Sequence, residues 1–267
     1  MRKTLLKSIL LIMGITLTMV ACKKSASISD ETTAISNDVL GKIAELGFSN
    51  KNVVKHEEGY LVEGDIVITE EQLNNKPSQS LLRVGTEEQY RTTNTVTGLP
   101  RQITIRVAST LPTSYVTATD AAIARYNAQG LRITFRRVTS GGNIVISRAP
   151  SGAGYLASAG FPTSTGNPYN SVLVNRSYLD TWNANTVTSI IAHEVGHCIG
   201  FRHTDYMSRQ YSCGGSPVNE GASTVGAILI PGTPSGPDPN SWMLACIGNG
   251  VNRPFNANDV TALQYVY

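Results

Sequence analysis

The alternation of apolar and polar positions along the chain becomes regular near residue 100. Three segments alternate with the two-residue period of a β-strand, namely "RQITIRVA", "LRITFRRV" and "NIVISRA". Between the first two, "YVTATDAAIARYNAQG" has the spacing of a helix and closes at Gly130. The pattern therefore predicts the order strand, helix, strand, strand from residue 100 onwards.

A second long helix is predicted beyond a loop-rich stretch. Within "PSGAGYLASAGFPTSTGNPYN" we expect an edge strand around Tyr155 to Ala159, and "SVLVNRS" supplies a further strand. "TVTSIIAHEVGHCIG" is then an amphipathic helix that starts near Thr186 and stops at Gly200. Residues 201–254 are irregular, and "NANDVTALQYVY" predicts a final helix.

The start of the chain has the pattern of a bacterial secretion signal. "MRKTLLKSILLIMGITLTMVAC" has a basic start and an apolar run from Ile9 to Val20, which is short for a transmembrane span. Its end resembles the lipobox of bacterial lipoproteins, in which Cys22 becomes the lipidated first residue, although Met19 stands where leucine is usual. An ordinary secretory signal is the alternative. We expect an exported protein, lipid-anchored to a bacterial membrane, at the outer membrane or the cell surface.

The apolar segments between this signal and residue 100 are short. "SNDVLGKIAEL" predicts a short helix, and "GYLVEGDIVITEEQL" contains two apolar stretches around Glu63, Gly64 and Asp65. Residues 74–99 are polar and lack a clear period. We therefore expect a signal peptide over 1–21, a tether and small propeptide-like accessory segment over 22–95, and the main domain over 96–267.

Composition indicates a globular domain without a strongly charged partner. Hydrophobic residues make up 41% of the 267 residues, which is enough for a real core. The formal net charge is +3, and Arg2, Lys3 and Lys7 lie in the predicted signal, so +3 − 3 leaves a mature chain near zero. This balance gives no argument for a nucleic-acid partner.

The cysteines suggest one disulfide, because export implies an oxidising compartment. Three cysteines remain once Cys22 is set aside. Cys213 and Cys246 both lie in loop-like sequence, so we favour a bond between them. Cys198 follows His197 on the predicted helix, and we interpret it as a buried small side chain or an alternative disulfide partner.

Three of the four histidines lie within "HEVGHCIGFRH". His193 and His197 are four residues apart, so both imidazoles lie on one face of the helix and can share a metal ion. Gly200 allows a positive φ that turns the chain after the helix, so that His203 can approach the same ion. Glu194 can reach a metal-bound water without binding the metal itself.

This set of side chains predicts a catalytic rather than a structural zinc site. Three neutral histidine nitrogens with water in the fourth position are typical of catalytic zinc. Glu194 would accept the proton of that water and pass it to the leaving amine. The predicted reaction is hydrolysis of a peptide bond without a covalent intermediate.

The stretch resembles the signature H-E-x-x-H-x-x-G-x-x-H of the metzincin zinc endopeptidases at all five fixed positions. The resemblance implies an α/β (α+β) catalytic domain with a twisted mixed sheet, an antiparallel edge strand over the cleft, an active-site helix and a C-terminal helix. It also implies a methionine turn beneath the zinc, for which "NSWMLAC" offers Met243 and Ser241. The motif and the lipoprotein start are similar to the dual-action HEIGH metallopeptidases, with Val195 in place of isoleucine.

Astacin propeptides carry F-x-G-D-I, whose aspartate occupies the zinc and keeps the enzyme latent. "VEGDI" resembles this motif, so Asp65 is expected to be a latency ligand; a hairpin turn with a Gly-Asp corner is the alternative. Thr204 and Ala245 depart from the astacin pattern, which has glutamate after the third histidine and a tyrosine near the zinc. Astacin substrate preferences are therefore not carried over.

Other interpretations remain open at this stage. Glu220 is available as the third ligand of a thermolysin-like site, although it lacks a supporting carboxylate four residues on. Asp205 is expected to tie down a loop, Arg202 to be solvated or structural rather than to contact substrate, and His56 to be exposed. We expect a monomer that cleaves polypeptides with one zinc ion; the alternative is a non-catalytic surface binding protein on a metal-stabilised scaffold.

Overall fold

A computed structural model describes residues 34–46, 48–74, 89–216, 219, 227–234 and 237–267. The predicted signal peptide, Cys22 and Glu220 lie outside the described residues, so the predictions on them are unaffected. Residues 35–267 form one compact unit. Within the described part of the chain, every helix is too short or too polar to cross a membrane.

The elements follow the predicted order from residue 100 onwards and add a strand-rich segment before it. The helices are α1 Asn37–Glu45, α2 Glu70–Asn74, α3 Thr113–Asn127, α4 Arg176–Leu179, α5 Ala184–Cys198, α6 Gln210–Cys213 and α7 Ala257–Val266, with a 3-10 turn at Tyr206–Ser208. The strands are β1 Val54–His56, β2 Gly59–Val62, β3 Ile66–Thr69, β4 Tyr90–Arg91, β5 Arg101–Val107, β6 Ile133–Val138, β7 Ile144–Arg148, β8 Ala157–Gly160, β9 Ser171–Val174 and β10 Ile228–Leu229.

Eight of the strands form one mixed sheet in the order β1-β2-β3-β8-β9-β7-β5-β6. Strands β5, β6, β7 and β9 pair in parallel, and β8 runs antiparallel to β9. The α/β class with a mixed sheet is therefore confirmed. Among the strands of residues 96–267, β8 is the last strand of the sheet, as predicted, and in this chain β3 pairs with its open side.

The core lies between this sheet and the two long helices. Alternate residues of the parallel strands are buried, among them Ile103, Ile133 and Ile144, because successive side chains of a strand point to opposite faces. Helix α3 packs against α5, and the Tyr126 hydroxyl donates a 2.7 Å hydrogen bond to the Ala192 carbonyl of α5. Packing against α3 therefore fixes the position of α5, the helix that carries His193 and His197.

Helix α5 begins earlier than the sequence pattern predicts. Its N-cap is Asn183, whose side chain accepts a hydrogen bond from the Asn185 amide, whereas Thr186 lies inside the helix and donates to the Val251 carbonyl. Asparagine and threonine both favour N-caps, so the predicted start at Thr186 was wrong by about one turn.

The end of α5 is the predicted glycine turn. Gly200 has a φ of +106°, and its amide donates to the His197 carbonyl at 2.9 Å. The Phe201 amide donates to the Gly196 carbonyl at 2.9 Å. These two bonds form a Schellman motif, which satisfies the last carbonyls of the helix and redirects the chain towards His203.

The segment before residue 75 has a small apolar core of its own. It is built from buried side chains of α1, α2, β2 and β3, of the loop that follows α1, and of one aromatic residue beyond β8: Ile43, Leu46, Phe48, Tyr60, Val62, Ile66, Ile68, Leu73 and Phe161. Because β3 also pairs with β8, this segment continues the sheet of the main domain. The boundary at residues 95 and 96 stays a prediction.

Candidate metal centre and active site

The three histidines of the motif come together with the aspartate of the predicted propeptide motif. His193, His197, His203 and Asp65 each offer one ligand atom, and these four atoms lie within 4.8 Å of one another. The ring centroids of His193 and His197 are 4.6 Å apart, as expected for residues one helical turn apart on the same face. His203, beyond the glycine turn, lies 4.9 Å from His197 and 5.3 Å from His193 between centroids.

Two of these imidazoles are oriented by backbone carbonyls. The Nδ1 atom of His193 lies 2.9 Å from the Trp242 carbonyl oxygen, and that of His197 lies 2.8 Å from the Phe201 carbonyl oxygen. Each Nδ1 therefore carries the hydrogen and donates it, because a carbonyl can only accept. The lone pair is left on Nε2, which is the usual arrangement of a histidine ligand.

The surroundings of the Nε2 atoms of His193 and His197 indicate whether the site fits a metal ion. Both are buried, and neither has a hydrogen-bond partner among the described residues. Leaving a buried polar atom unpartnered is costly, so two such lone pairs beside each other favour a cation between them. Burial, then the neighbouring His193 and His203, lowers the pKa of His197 well below its usual value, which keeps it neutral for metal binding.

Asp65 approaches the same point from the turn between β2 and β3. Its Oδ2 lies 3.2 Å from His203 Nε2 and 3.6 Å from His193 Nε2, and its Oδ1 is buried without a hydrogen-bond partner. Burial opposes ionisation of this carboxyl, but His203 and then His193 hold its pKa well below the usual value. Asp65 is therefore a carboxylate placed against the histidine cluster.

Glu194 lies beside the cluster without belonging to it. Its side chain is buried, and its Oε2 has no hydrogen-bond partner among the described residues. Burial, and then the charge of Asp65, raises the pKa of Glu194 well above its usual value. A carboxyl group that is buried, unpartnered and of raised pKa has the properties of a general base or acid.

The predicted methionine turn packs against α5 at Gly196. Met243 is fully buried, and the Met243 carbonyl accepts a hydrogen bond from the Thr204 amide at 3.0 Å. A Cβ atom on Gly196 would lie only 2.6 Å from Met243 Sδ and 3.0 Å from Trp242 Nε1. Gly196, at the second x of H-E-x-x-H, is thus the residue that allows the turn to approach the helix.

The methionine turn is also fastened to the last helix. Asp259, in the first turn of α7, accepts hydrogen bonds from Ser241 Oγ at 2.9 Å, from the Trp242 amide at 3.1 Å and from Gln89 Nε2 at 2.8 Å. Burial raises the pKa of Asp259 to about 6. This carboxyl group therefore positions the Trp242 carbonyl that orients His193.

The loop that follows the motif is held as predicted for Asp205. Its Oδ1 accepts from the Ala245 amide at 2.9 Å and its Oδ2 from Ser212 Oγ at 2.5 Å. Cys213 and Cys246 form a disulfide beside these contacts, and Cys198 is a buried free thiol. The segment after the third histidine is thereby fixed to the segment after Met243.

Arg202 is structural, and its partner lies in the N-terminal segment. Its Nη2 lies 2.5 Å from Glu63 Oε2, and both side chains are fully buried. The guanidinium also stacks over the ring of Phe48 at 4.4 Å. His56, in contrast to the prediction that it is exposed, is buried, because β1 folds back on β2 and its Nδ1 accepts from the Glu58 amide.

A cavity of about 260 Å³ opens beside Glu194. It lies between α5 and the segment after Met243, and the tip of the β2–β3 hairpin forms part of its rim. Tyr155, predicted near the upper cleft, lines this cavity together with Leu156 and Ala157. His193 and Glu194 therefore face a space large enough for a substrate side chain.

The sequence motif gives little or no signal for several residues of the site. Glu63, Trp242 and Asp259 act through contacts with positions far away in the chain. Gly196 carries a weak signal, because a glycine inside a predicted helix is unfavourable unless something packs closely against it. Glu220 lies outside the described residues, whereas His203 lies in the cluster, at the place predicted for the third ligand.

Comparison with known proteins identifies the family to which the chain belongs. The model of the dual-action HEIGH metallo-peptidases matches residues 60–267, a range that includes β3, Asp65 and all of β2 but its first residue. Two solved structures of myroilysin are similar: one is 16% identical over 66% of this chain and 86% of that chain with a TM-score of 0.42. The other is 18% identical over 43% of this chain and 54% of that chain with a TM-score of 0.33. No curated protein matches significantly.

Proposed function

The chain belongs to the dual-action HEIGH metallo-peptidase family and is a metallopeptidase, and from this premise we propose that it is a zinc-dependent endopeptidase with Glu194 as general base. The observation that carries the proposal is the pair of buried, unpartnered Nε2 atoms of His193 and His197 beside His203. We propose in addition that the unprocessed chain is latent.

The ligand set favours zinc over other common ions. Imidazole nitrogens suit zinc, whereas magnesium and calcium prefer oxygen ligands. His193, His197 and His203 would hold the ion, and Asp65 faces the position that a substrate would need. When bound, zinc supplies a Lewis acid that polarises the scissile carbonyl and acidifies a water molecule.

Glu194 is positioned to move the protons of the reaction. Its carboxylate faces the cavity next to the histidines, so it can accept a proton from the attacking water and deliver it to the leaving amine. Such proton transfer typically contributes about 10²–10⁴-fold to a rate. A non-catalytic binding protein on the same scaffold has no need of an unpartnered buried carboxyl group, which costs stability.

The latency proposal rests on two contacts of the β2–β3 hairpin. Asp65 Oδ2 lies 3.2 Å from His203 Nε2, where a carboxylate would occupy the open position of the ion. The Asp65 carbonyl accepts a hydrogen bond from the Ala159 amide at 2.9 Å, so β3 takes the side of β8 that an extended substrate would need. The hairpin would block both the metal and the substrate edge.

Contacts on either side of Asp65 hold the hairpin down. Glu63 pairs with Arg202, which lies in the histidine motif, and Arg209 donates to the Glu63 carbonyl. Gly64, at φ +92°, leaves room for the Arg209 guanidinium, which a Cβ atom would meet at 2.6 Å. Removing one partner of a buried ion pair typically costs about 3–5 kcal/mol, so the Glu63–Arg202 pair is a strong constraint on the turn.

The cellular setting that we propose rests on the sequence pattern of residues 1–22. We propose export by the signal peptide 1–21 and attachment to a bacterial membrane through a lipid on Cys22, with the peptidase acting as a monomer on polypeptides outside the cytoplasm. The Cys213–Cys246 disulfide is consistent with an oxidising compartment.

Zinc removal tests this function. The purified full chain should contain about one zinc ion, measured by elemental analysis, and His197→Ala should contain far less. In the Asp65→Ala chain, a chelator should abolish casein cleavage and added zinc should restore it. If both the wild-type and the Asp65→Ala chains bind one zinc ion and neither cleaves casein, the result would instead support the alternative function, a non-catalytic surface binding protein.

A further inference from the structure

The cavity beside Glu194 has a definite chemical character. Apolar side chains form much of its wall, among them Ile190 of α5 and Leu244 and Ile247 of the segment after the methionine turn. At about 260 Å³ it suits one side chain of a bound polypeptide rather than a longer stretch. Because Glu194 and His193 line the same space, the side chain that enters it belongs to a residue next to the scissile bond.

Two carboxylates and two arginines line this cavity. The carboxylates that line it are Asp65 and Glu194, which face the histidines. The other charged residues in its lining are Arg209 and Arg253. Arg209 lies against Gly64, next to Asp65, so Arg253 is the cation that the segment after the methionine turn contributes to the lining.

The Arg253 guanidinium forms fewer hydrogen bonds than that of Arg209. Its guanidinium donates one hydrogen bond, from Nη1 to the Cys246 carbonyl at 2.7 Å, although a guanidinium has five N–H donors. Within the described ranges no carboxylate forms an ion pair with it. Burial lowers the pKa of Arg253, and the charge of Asp205 acts in the opposite direction.

The position of Arg253 is fixed by its own backbone. The Arg253 amide donates to Ser189 Oγ of α5 at 2.9 Å, and its carbonyl accepts from Arg125 Nη1 of α3 at 3.1 Å. Cys246, which accepts from the guanidinium, is held by the disulfide to Cys213. A cation held by several elements is preorganised for a ligand and loses little entropy on binding.

We infer that Arg253 is a specificity-determining residue that selects substrates with an aspartate or glutamate side chain next to the scissile bond. This inference rests on the proposed endopeptidase function. A carboxylate can take two of the free N–H donors in a bidentate pair. A neutral or basic side chain would cover the guanidinium without satisfying it, and that desolvation is unfavourable.

Matched peptides test the inference. The full Asp65→Ala chain, with the wild-type chain beside it, would first cleave a peptide library that is read by mass spectrometry. Acidic residues should be enriched at one position flanking the cleaved bond. Two peptides that differ only there, Glu against Gln, should then differ by about tenfold or more in kcat/KM.

Substitutions of Arg253 separate charge recognition from stability. Arg253→Gln should bring the Glu/Gln ratio close to one, and Arg253→Glu should reverse the preference in favour of a Lys peptide. A gain of lysine cleavage cannot come from misfolding. Arg136→Gln, in the exposed part of β6, is the control and should leave the ratio unchanged.

A binding measurement distinguishes failure of this inference from failure of the proposed function. The zinc-loaded Glu194→Gln, Asp65→Ala chain is titrated with the fluorescent Glu and Gln peptides, and the Glu peptide should bind about tenfold more tightly, with the difference lost in Arg253→Gln. Cleavage without an acidic preference, or an equal preference in Arg253→Gln, would overturn the inference alone. If no chain cleaves, the peptidase proposal fails and the titration decides the role of Arg253.

Discussion

At the scale of single residues, Gly200 decides whether the third histidine can reach the other two. Its φ of +106° lies in the region that favours glycine, and a Cβ atom there would meet the Asn94 carbonyl oxygen at 2.8 Å. The Gly200 carbonyl in turn accepts a 2.8 Å hydrogen bond from the Thr92 amide. The turn is therefore fixed by backbone conformation and by close contact with residues 92–94.

Gly200→Ala should destabilise the fold by about 3 kcal/mol, since backbone strain and a displaced contact add together. Gly130→Ala is the matched control, because Gly130 also has a positive φ, +66°, but has open space around it. That control should cost about 1 kcal/mol. Urea unfolding monitored by circular dichroism measures both values, and equal losses would show that the contact with Asn94 is unimportant.

At the scale of elements, the β2–β3 hairpin combines two roles that are separate in the sequence. Its strands continue the sheet, and its turn places Asp65 against the histidines. The two interpretations of "VEGDI", a hairpin turn and a metal ligand, are therefore compatible in one structure. The turn of the hairpin is held by the Glu63–Arg202 ion pair. This gives the Asp65 carboxylate a high effective concentration at the histidine cluster.

Asp65→Ala should raise casein cleavage by the unprocessed chain about tenfold or more, because it removes a carboxylate held close to the metal position. Asp65→Asn should raise it as well, since an amide is a weaker metal ligand than a carboxylate. Asp38→Ala is the control, as Asp38 lies on the surface of α1 and pairs only with Lys42 in the contacts described. Equal rates in wild type and both Asp65 variants would refute the role of Asp65 as a latency ligand.

At the scale of the whole molecule, the order of elements and the three histidines of the metal cluster could be predicted because both depend on local spacing. Residues four apart on a helix share a face, and Gly200 ends the helix within the same segment. The approach of Asp65 could be predicted only from the astacin-like motif, and the pairing of Glu63 with Arg202 could not be predicted, since these residues are 139 positions apart and neither belongs to a periodic pattern. The pairing of β3 with β8 is equally remote in sequence.

The most direct measurement of the proposed chemistry is the rate of casein cleavage by the zinc-loaded Asp65→Ala chain with and without Glu194→Gln. The substitution should lower the rate by at least about 100-fold, because glutamine cannot accept the proton, while the zinc content stays near one ion per chain. Equal rates at equal zinc content would contradict the role of Glu194 as general base.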